Sequence, residues 1–221
     1  MKKKLNLLLL LSFCVLCSCS LENDDKREDI YVVFATVENP NATPKFYLVL
    51  DDGTKLYTAE TGDLADPDQG YPKNGSRVLA NYNVLKPASA NNIRLRNLAN
   101  IPIDSISGNN TAGRNDRYRL DMLYPGADFL NVLLSHNFTS SLIDKHNILL
   151  VQKDSQEEGT AYFDLIYSNG GDSGTDFSMS PMCFDLSPLK EIFPDSVTLV
   201  INTYETSAET PISYTMKYKW K

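Results

Sequence analysis

Between Ile212 and Trp220 the side chains alternate without a break. Ile212, Tyr214, Met216, Tyr218 and Trp220 fall on one side of an extended chain, and Ser213, Thr215, Lys217 and Lys219 on the other. A period of two suits a strand with one buried face and excludes an amphipathic helix, whose apolar positions recur every three to four residues. The same period runs through most of the chain after Ile30 and predicts an all-β protein. Composition agrees with a globular chain: 42% of the 221 residues are hydrophobic and 22% charged.

In the first half, Tyr31, Val33, Ala35 and Val37 alternate with Val32, Phe34 and Thr36, and Phe46–Leu50 leads through Asp51-Asp52-Gly53-Thr54 into Lys55–Ala59. Asp-Gly between two strand-like runs signals a hairpin, because both residues tolerate positive φ. Residues 60–75 read as a long loop. Val78–Val84 and Ile93–Arg96 alternate again, and Ile101–Ile106 reads as the last strand, placed at an edge by Pro102. About five strands over 30–107 predict a small β barrel or sheet. Residues 108–116, small or polar and without an apolar anchor, read as a linker. Seven runs follow over 117–221, at 118–122, 129–135, 147–152, 160–167, 179–186, 197–204 and 212–220. Seven strands in about 105 residues with turn residues between them predict an immunoglobulin-like β-sandwich. The one helical signal is Ser187-Pro188-Leu189-Lys190-Glu191-Ile192-Phe193, with Ser as the N-cap, Pro at the first helical position and Pro194 as the stop.

The N-terminus reads as an address. Lys2, Lys3 and Lys4 precede the apolar stretch Leu5–Leu16, which is too short for a membrane span, and Leu16-Cys17-Ser18-Cys19 follows. This resembles a bacterial lipoprotein signal over residues 1–18 with Cys19 as the acylated residue. Leu16 is too large for the position before Cys17, and Phe13 for that before Cys14. An acyl chain contributes about 0.8 kcal/mol per buried methylene, so the expected membrane partner is reached through Cys19 alone. Residues 19–29 read as an acidic tether. With Cys14 and Cys17 removed and Cys19 acylated, Cys183 has no partner for a disulfide and reads as a small core residue.

In order along the chain come Asp51-Asp52-Gly53-Thr54-Lys55-Leu56-Tyr57, Gly75-Ser76-Arg77-Val78-Leu79-Ala80-Asn81-Tyr82, Phe129-Leu130-Asn131-Val132, Lys145-His146-Asn147-Ile148-Leu149-Leu150-Val151 and Phe184-Asp185-Leu186-Ser187-Pro188-Leu189. Behind a lipoprotein signal, this series resembles the NigD-like lipoproteins of Bacteroidetes. The resemblance implies an N-terminal OB-like barrel, a C-terminal β-sandwich and a proposed role in bacteriocin immunity. It brings no catalytic residues. The acidic stretch after Cys19 resembles the signal that sends lipoproteins of that phylum to the outer face of the outer membrane. Asp104-Ser105-Ile106 and Asp195-Ser196-Val197 resemble its O-glycosylation sites.

Chemistry is sparse. Gly171-Asp172-Ser173-Gly174 resembles the nucleophile loop of chymotrypsin-like proteases, but its histidine and aspartate do not stand where that mechanism has them, and it reads as a hairpin loop. His136 and His146 have no second His or Cys at ligand spacing and read as strand-end residues, so neither a metal site nor a cofactor is expected. Asp63, Asp66 and Asp68 crowd one loop but fail the calcium-loop pattern. Without Lys2–Lys4 the chain carries 18 basic and 28 acidic residues, a net of −10 that excludes nucleic acid as a partner. Arg77, Arg94 and Arg96 with Tyr82 read as core or solvated face. The expected function is a non-enzymatic envelope lipoprotein that binds a protein or glycan partner; the alternatives are a glycan-binding protein and a hydrolase with unmarked carboxylates. Limited proteolysis is expected to cut first between residues 108 and 116. A first cut inside any of the strand runs would contradict the domain reading.

Overall fold

The computed structural model describes residues 29–62, 72–86, 91–108, 116–154, 157–205 and 210–220. Cys19 with its signal and tether, Asp63, Asp66 and Asp68, and most of the expected linker (109–115) lie outside them. The protein is all-β. Five strands, β1 (Tyr31–Glu38), β2 (Tyr47–Leu50), β3 (Lys55–Glu60), β4 (Arg77–Val84) and β5 (Asn92–Asn100), close into a barrel in the order β1-β2-β3-β5-β4. The β1–β4 pair closes it, and β3–β5 is its one parallel pair. Closure leaves no strand edge exposed in this unit.

The second unit is a sandwich. One sheet runs β13 (Ile212–Lys219), β12 (Ser196–Thr203), β10 (Thr160–Ser168), β9 (Asn147–Lys153). The other runs β6 (Ile103–Ser105), β11 (Asp176–Asp185), β8 (Phe129–Phe138), β7 (Arg119–Gly126). All seven runs expected after residue 117 are strands of this sandwich. The run at Ile101–Ile106 does not close the barrel. Its strand, β6, pairs in parallel with β11. The hand-over takes two residues: Ile101 N–H still donates to the Arg77 carbonyl (2.9 Å), while Cys183 N–H already donates to the Pro102 carbonyl (3.1 Å). Strands β10 and β12 pair in parallel because the chain between them crosses to the other sheet as β11 and returns through the short helix α1 (Leu189–Ile192). Pro188 is itself the N-cap of α1, and Ser187 caps with its carbonyl, which accepts from Lys190 N–H at 3.1 Å.

Each unit has its own core. Ala35, Val37, Leu48, Val78 and Ile93 fill the barrel. Leu130, Val132, Leu134, Phe163, Leu165 and Leu199 fill the sandwich. A third cluster lies between the units: Phe34 of β1, Ile101, and Leu133 and Cys183 of the sandwich. It explains why β1 is apolar on both faces, since Ala35 and Val37 face into the barrel while Phe34 packs outward on the sandwich.

At the centre of this junction sits Arg77, its side chain 1% exposed. Its Nη2 lies 2.6 Å from Asp51 Oδ1 and donates to Asn131 Oδ1 at 2.7 Å. Asn131 Nδ2 donates in turn to Asp51 Oδ2 at 2.8 Å. The Phe34 and Phe129 rings flank the guanidinium, 6.0 and 5.3 Å away. The β2–β3 turn delivers Asp51: Gly53 takes φ +92°, and Asp52 Oδ1 accepts from Thr54 N–H at 2.7 Å. Gly126 allows the approach, because a Cβ there would stand 2.6 Å from Asp51 Cβ. Burial pushes the Cys183 thiol up to about 11, against the pull of Arg77, as suits an inert packing residue.

Removing one partner of a buried ion pair leaves the other charge uncompensated. Arg77→Ala is expected to cost about 3–5 kcal/mol in urea unfolding. Adding Asp51→Ala should recover part of that loss. A cost below about 1 kcal/mol would show that the pair does not hold the junction.

Candidate functional site

The end of the sandwich away from the barrel holds a cleft of about 430 Å³, lined by the segment leading into β7, by residues of β7, β8, β10 and β11, and by the loop between β10 and β11. Its floor is polar. Along β8 the inward positions are Leu130, Val132, Leu134 and then His136, so a histidine takes the next core position. Tyr167 does the same on β10, following Phe163 and Leu165. His146 enters from the short 3-10 turn Ile143–Lys145, just before β9.

These side chains form one network with Asp172. His146 Nε2 lies 3.0 Å from Asp172 Oδ2. On its other side, His146 Nδ1 is 2.8 Å from the Tyr167 hydroxyl and 3.3 Å from His136 Nδ1. His136 Nε2 reaches Ser180 Oγ at 2.8 Å, and its Nδ1 is 3.2 Å from the Asn137 carbonyl. Asp172 also accepts from the Thr139 N–H (2.6 Å), the Thr139 hydroxyl (2.7 Å) and the Gly174 N–H (2.8 Å). Burial alone would raise the Asp172 carboxyl. The Thr139 and Gly174 donors and His146 outweigh it and hold the group well below the usual carboxylate range. Burial pushes the His136 imidazole down, aided by His146 and opposed by Asn137 and Asp172. Burial, with Asp116 and Asp172 nearby, pushes the Tyr167 phenol up.

Both histidines, read from sequence as strand-end residues, are therefore drawn inward, and the glycine-rich loop supplies their carboxylate. The likeness of that loop to a protease nucleophile does not extend to geometry. Asp172, not Ser173, meets the histidine, and among the described residues no hydrogen bond joins Ser173 to either imidazole. One signal for this site was present in the sequence, namely that His136 continues the inward period of β8.

At the rim of the cleft, where Arg119, Ser135, Asn137 and Phe177 also line it, the β6-β11-β8-β7 sheet turns a mixed face to solvent. The pairing register sets Met179, Ser135 and Arg119 in one row across β11, β8 and β7, with Phe177 beside Asn137 in the next. Phe177 is 59% exposed and Met179 57%, and the Arg119 guanidinium lies 5.5 Å from the centre of the Phe177 ring. Nearer the barrel, the same outer face carries Leu133 and Cys183, which the barrel covers. The remaining sequence candidates are dispersed. Arg77 is at the junction. Arg94 pairs with Glu60 at 2.5 Å, Arg96 with Asn83, and Tyr82 stacks on Tyr31 at 5.4 Å, all on the barrel. Ser105 and Ser196 are exposed in β6 and β12.

Family models describe both units: the NigD-like N-terminal OB domain matches residues 34–101, and the NigD-like C-terminal beta sandwich domain matches residues 102–218. The chain belongs to the NigD-like family. Among solved structures it resembles a Parabacteroides distasonis protein described as toxin-related (26% identity, TM-score 0.63, 86% of this chain and 94% of that one). It also resembles a Bacteroides vulgatus protein of unknown function (25% identity, TM-score 0.60, 87% and 92%). A NigD-like immunity protein of Bacteroides caccae shares the fold at 15% identity (TM-score 0.63, 87% and 97%). No curated protein matches the chain.

The loop carrying Asp172 is pinned at Gly174, where an added Cβ would stand 2.0 Å from the Phe138 carbonyl carbon. Gly174→Ala is expected to destabilise by about 1–3 kcal/mol, since backbone must move to admit the methyl group. Chemical shifts of Thr139 and His146 should move with it. An unchanged unfolding midpoint would contradict this placement of the loop.

Proposed function

We propose that this member of the NigD-like family is a non-enzymatic lipoprotein of the outer membrane, anchored through Cys19 and displayed at the cell surface, and that it acts by binding a protein partner. The role is immunity-like: the protein engages a toxin or its target at the producer's own envelope. The observation that carries the reading is the half-covered outer face of the β6-β11-β8-β7 sheet. The barrel occupies one half. The other half exposes Phe177 and Met179 beside Arg119, and exposed apolar side chains set among polar ones mark interaction surfaces. The descriptions of the Parabacteroides distasonis and Bacteroides caccae proteins agree with this role. The cleft floor favours binding over hydrolysis, because the one buried carboxylate there, Asp172, already accepts four hydrogen bonds from the protein.

A second reading has an observation of its own. OB folds bind ligands on the face of strands β2 and β3. On this barrel Tyr47 and Tyr57 pair there with ring centres 5.2 Å apart, an aromatic platform suited to a glycan.

The wild-type protein captured from cells, with its bound partner, should lose that partner when Phe177→Asp and Met179→Asp are introduced together. Its unfolding free energy should change by no more than about 0.5 kcal/mol per site, as for exposed positions elsewhere. Loss through Tyr47→Ala with retention in the Phe177/Met179 variant would move the function to the barrel. Polysaccharide turnover abolished by a carboxylate substitution, with no partner captured, would overturn the binding reading. The anchor is tested separately: a palmitate analogue should label the wild type and leave Cys19→Ala unlabelled.

A further inference from the structure

The chain has two histidines, and the fold brings both to one point, His136 from β8 and His146 from the turn before β9. Each ring is held on its Nε2 side by an oxygen, Asp172 Oδ2 for His146 and Ser180 Oγ for His136. The opposite nitrogens face each other, with Nδ1 to Nδ1 3.3 Å, and the Tyr167 hydroxyl lies 2.8 Å from His146 Nδ1. Metal-bound imidazoles are arranged this way, with one nitrogen on the ion and the other N–H fixed by a carboxylate or another oxygen. Two nitrogens at zinc-bond length in tetrahedral geometry stand about 3.3 Å apart.

We propose that His136 Nδ1, His146 Nδ1 and the Tyr167 phenol oxygen form a binding site for a borderline divalent transition metal, zinc or copper. The donor set selects against calcium and magnesium, which take several carboxylate, carbonyl and water oxygens. Among the described residues no three His, Cys, Asp or Glu side chains converge on a metal, so the phenol is the third protein donor. Asp172 is a positioning residue that fixes the His146 ring. Without metal, His136 Nδ1–H donates to the Asn137 carbonyl, and the Tyr167 hydroxyl donates to His146 Nδ1. On binding, the His136 proton moves to Nε2 and is donated to Ser180 Oγ, while the phenol proton leaves to solvent. His136, Asn137 and Tyr167 line the cleft, which gives the ion its route and the fourth ligand its side of approach. Arg119 and Phe177 of the proposed partner surface line the same cleft, but neither supplies a donor to this site.

The test is titration of the full chain, carrying no added histidine tag, with zinc and copper salts, followed by electron paramagnetic resonance of the copper-loaded wild type. One ion per chain is expected, with two imidazole nitrogens in the copper spectrum, and these are necessarily His136 and His146. His146→Gln, whose amide still reaches Asp172, should lose affinity at least about 100-fold, and Asp172→Asn should lose about 10–100-fold. Calcium and magnesium should not compete. No stoichiometric binding to wild type, binding unchanged by His146→Gln, or a copper spectrum without two imidazoles would each overturn the proposal. The last of these does not depend on any variant folding.

Discussion

The buried contact of Arg77 with Asp51 and Asn131 holds the two halves of the molecule in one arrangement. A guanidinium taken out of water is costly, and the cost is met only while Asp51 stands beside it and Asn131 joins both. Asp51 comes from a barrel turn and Arg77 from a barrel strand, so the ion pair forms within the barrel; Asn131, from a sandwich strand, bonds to both and is satisfied only when barrel and sandwich dock in this register. Phe34, Ile101, Leu133 and Cys183 supply apolar burial around it. The charge supplies the direction, because apolar contact alone tolerates sliding.

Docking in this register decides which part of the sandwich stays open. The outer face of the β6-β11-β8-β7 sheet is covered from Leu133 and Cys183 toward the barrel and bare at Phe177 and Met179. Behind the bare half, on the inner side of the same strands, His136 and Ser180 belong to the network anchored by Asp172. One sheet thus carries a docking surface, the proposed partner surface and, on its inner side, His136 of the proposed metal site, set apart by the alternation of side chains along a strand.

Much of this was legible in the sequence. Period-two runs located the seven strands after residue 117, and Asp51-Asp52-Gly53-Thr54 identified its turn, because both signals are local and rest on backbone geometry. The reading of β6 failed for an equally physical reason. A three-residue strand after Pro102 looks the same from either side of a domain boundary, and only pairing with β11, about 80 residues later, decides where it goes. The site was the least legible part. His136, His146 and Asp172 are separated by ten and 26 residues, unlike the short ligand spacings that mark a metal site in sequence, and three different chain segments bring them together. Arg77 reads from the sequence only as core or solvated face, because the alternation of β4 cannot show that its outward face is covered by another domain.

The coupling of the two units through the contact of Arg77 and Asp51 with Asn131 is tested most directly by calorimetry of residues 20–221. The account predicts a single unfolding transition whose calorimetric and van't Hoff enthalpies agree, since separation strips Asn131 from Arg77 and Asp51 and exposes the apolar cluster between the units. Two separate transitions, one for the barrel and one for the sandwich, would contradict it.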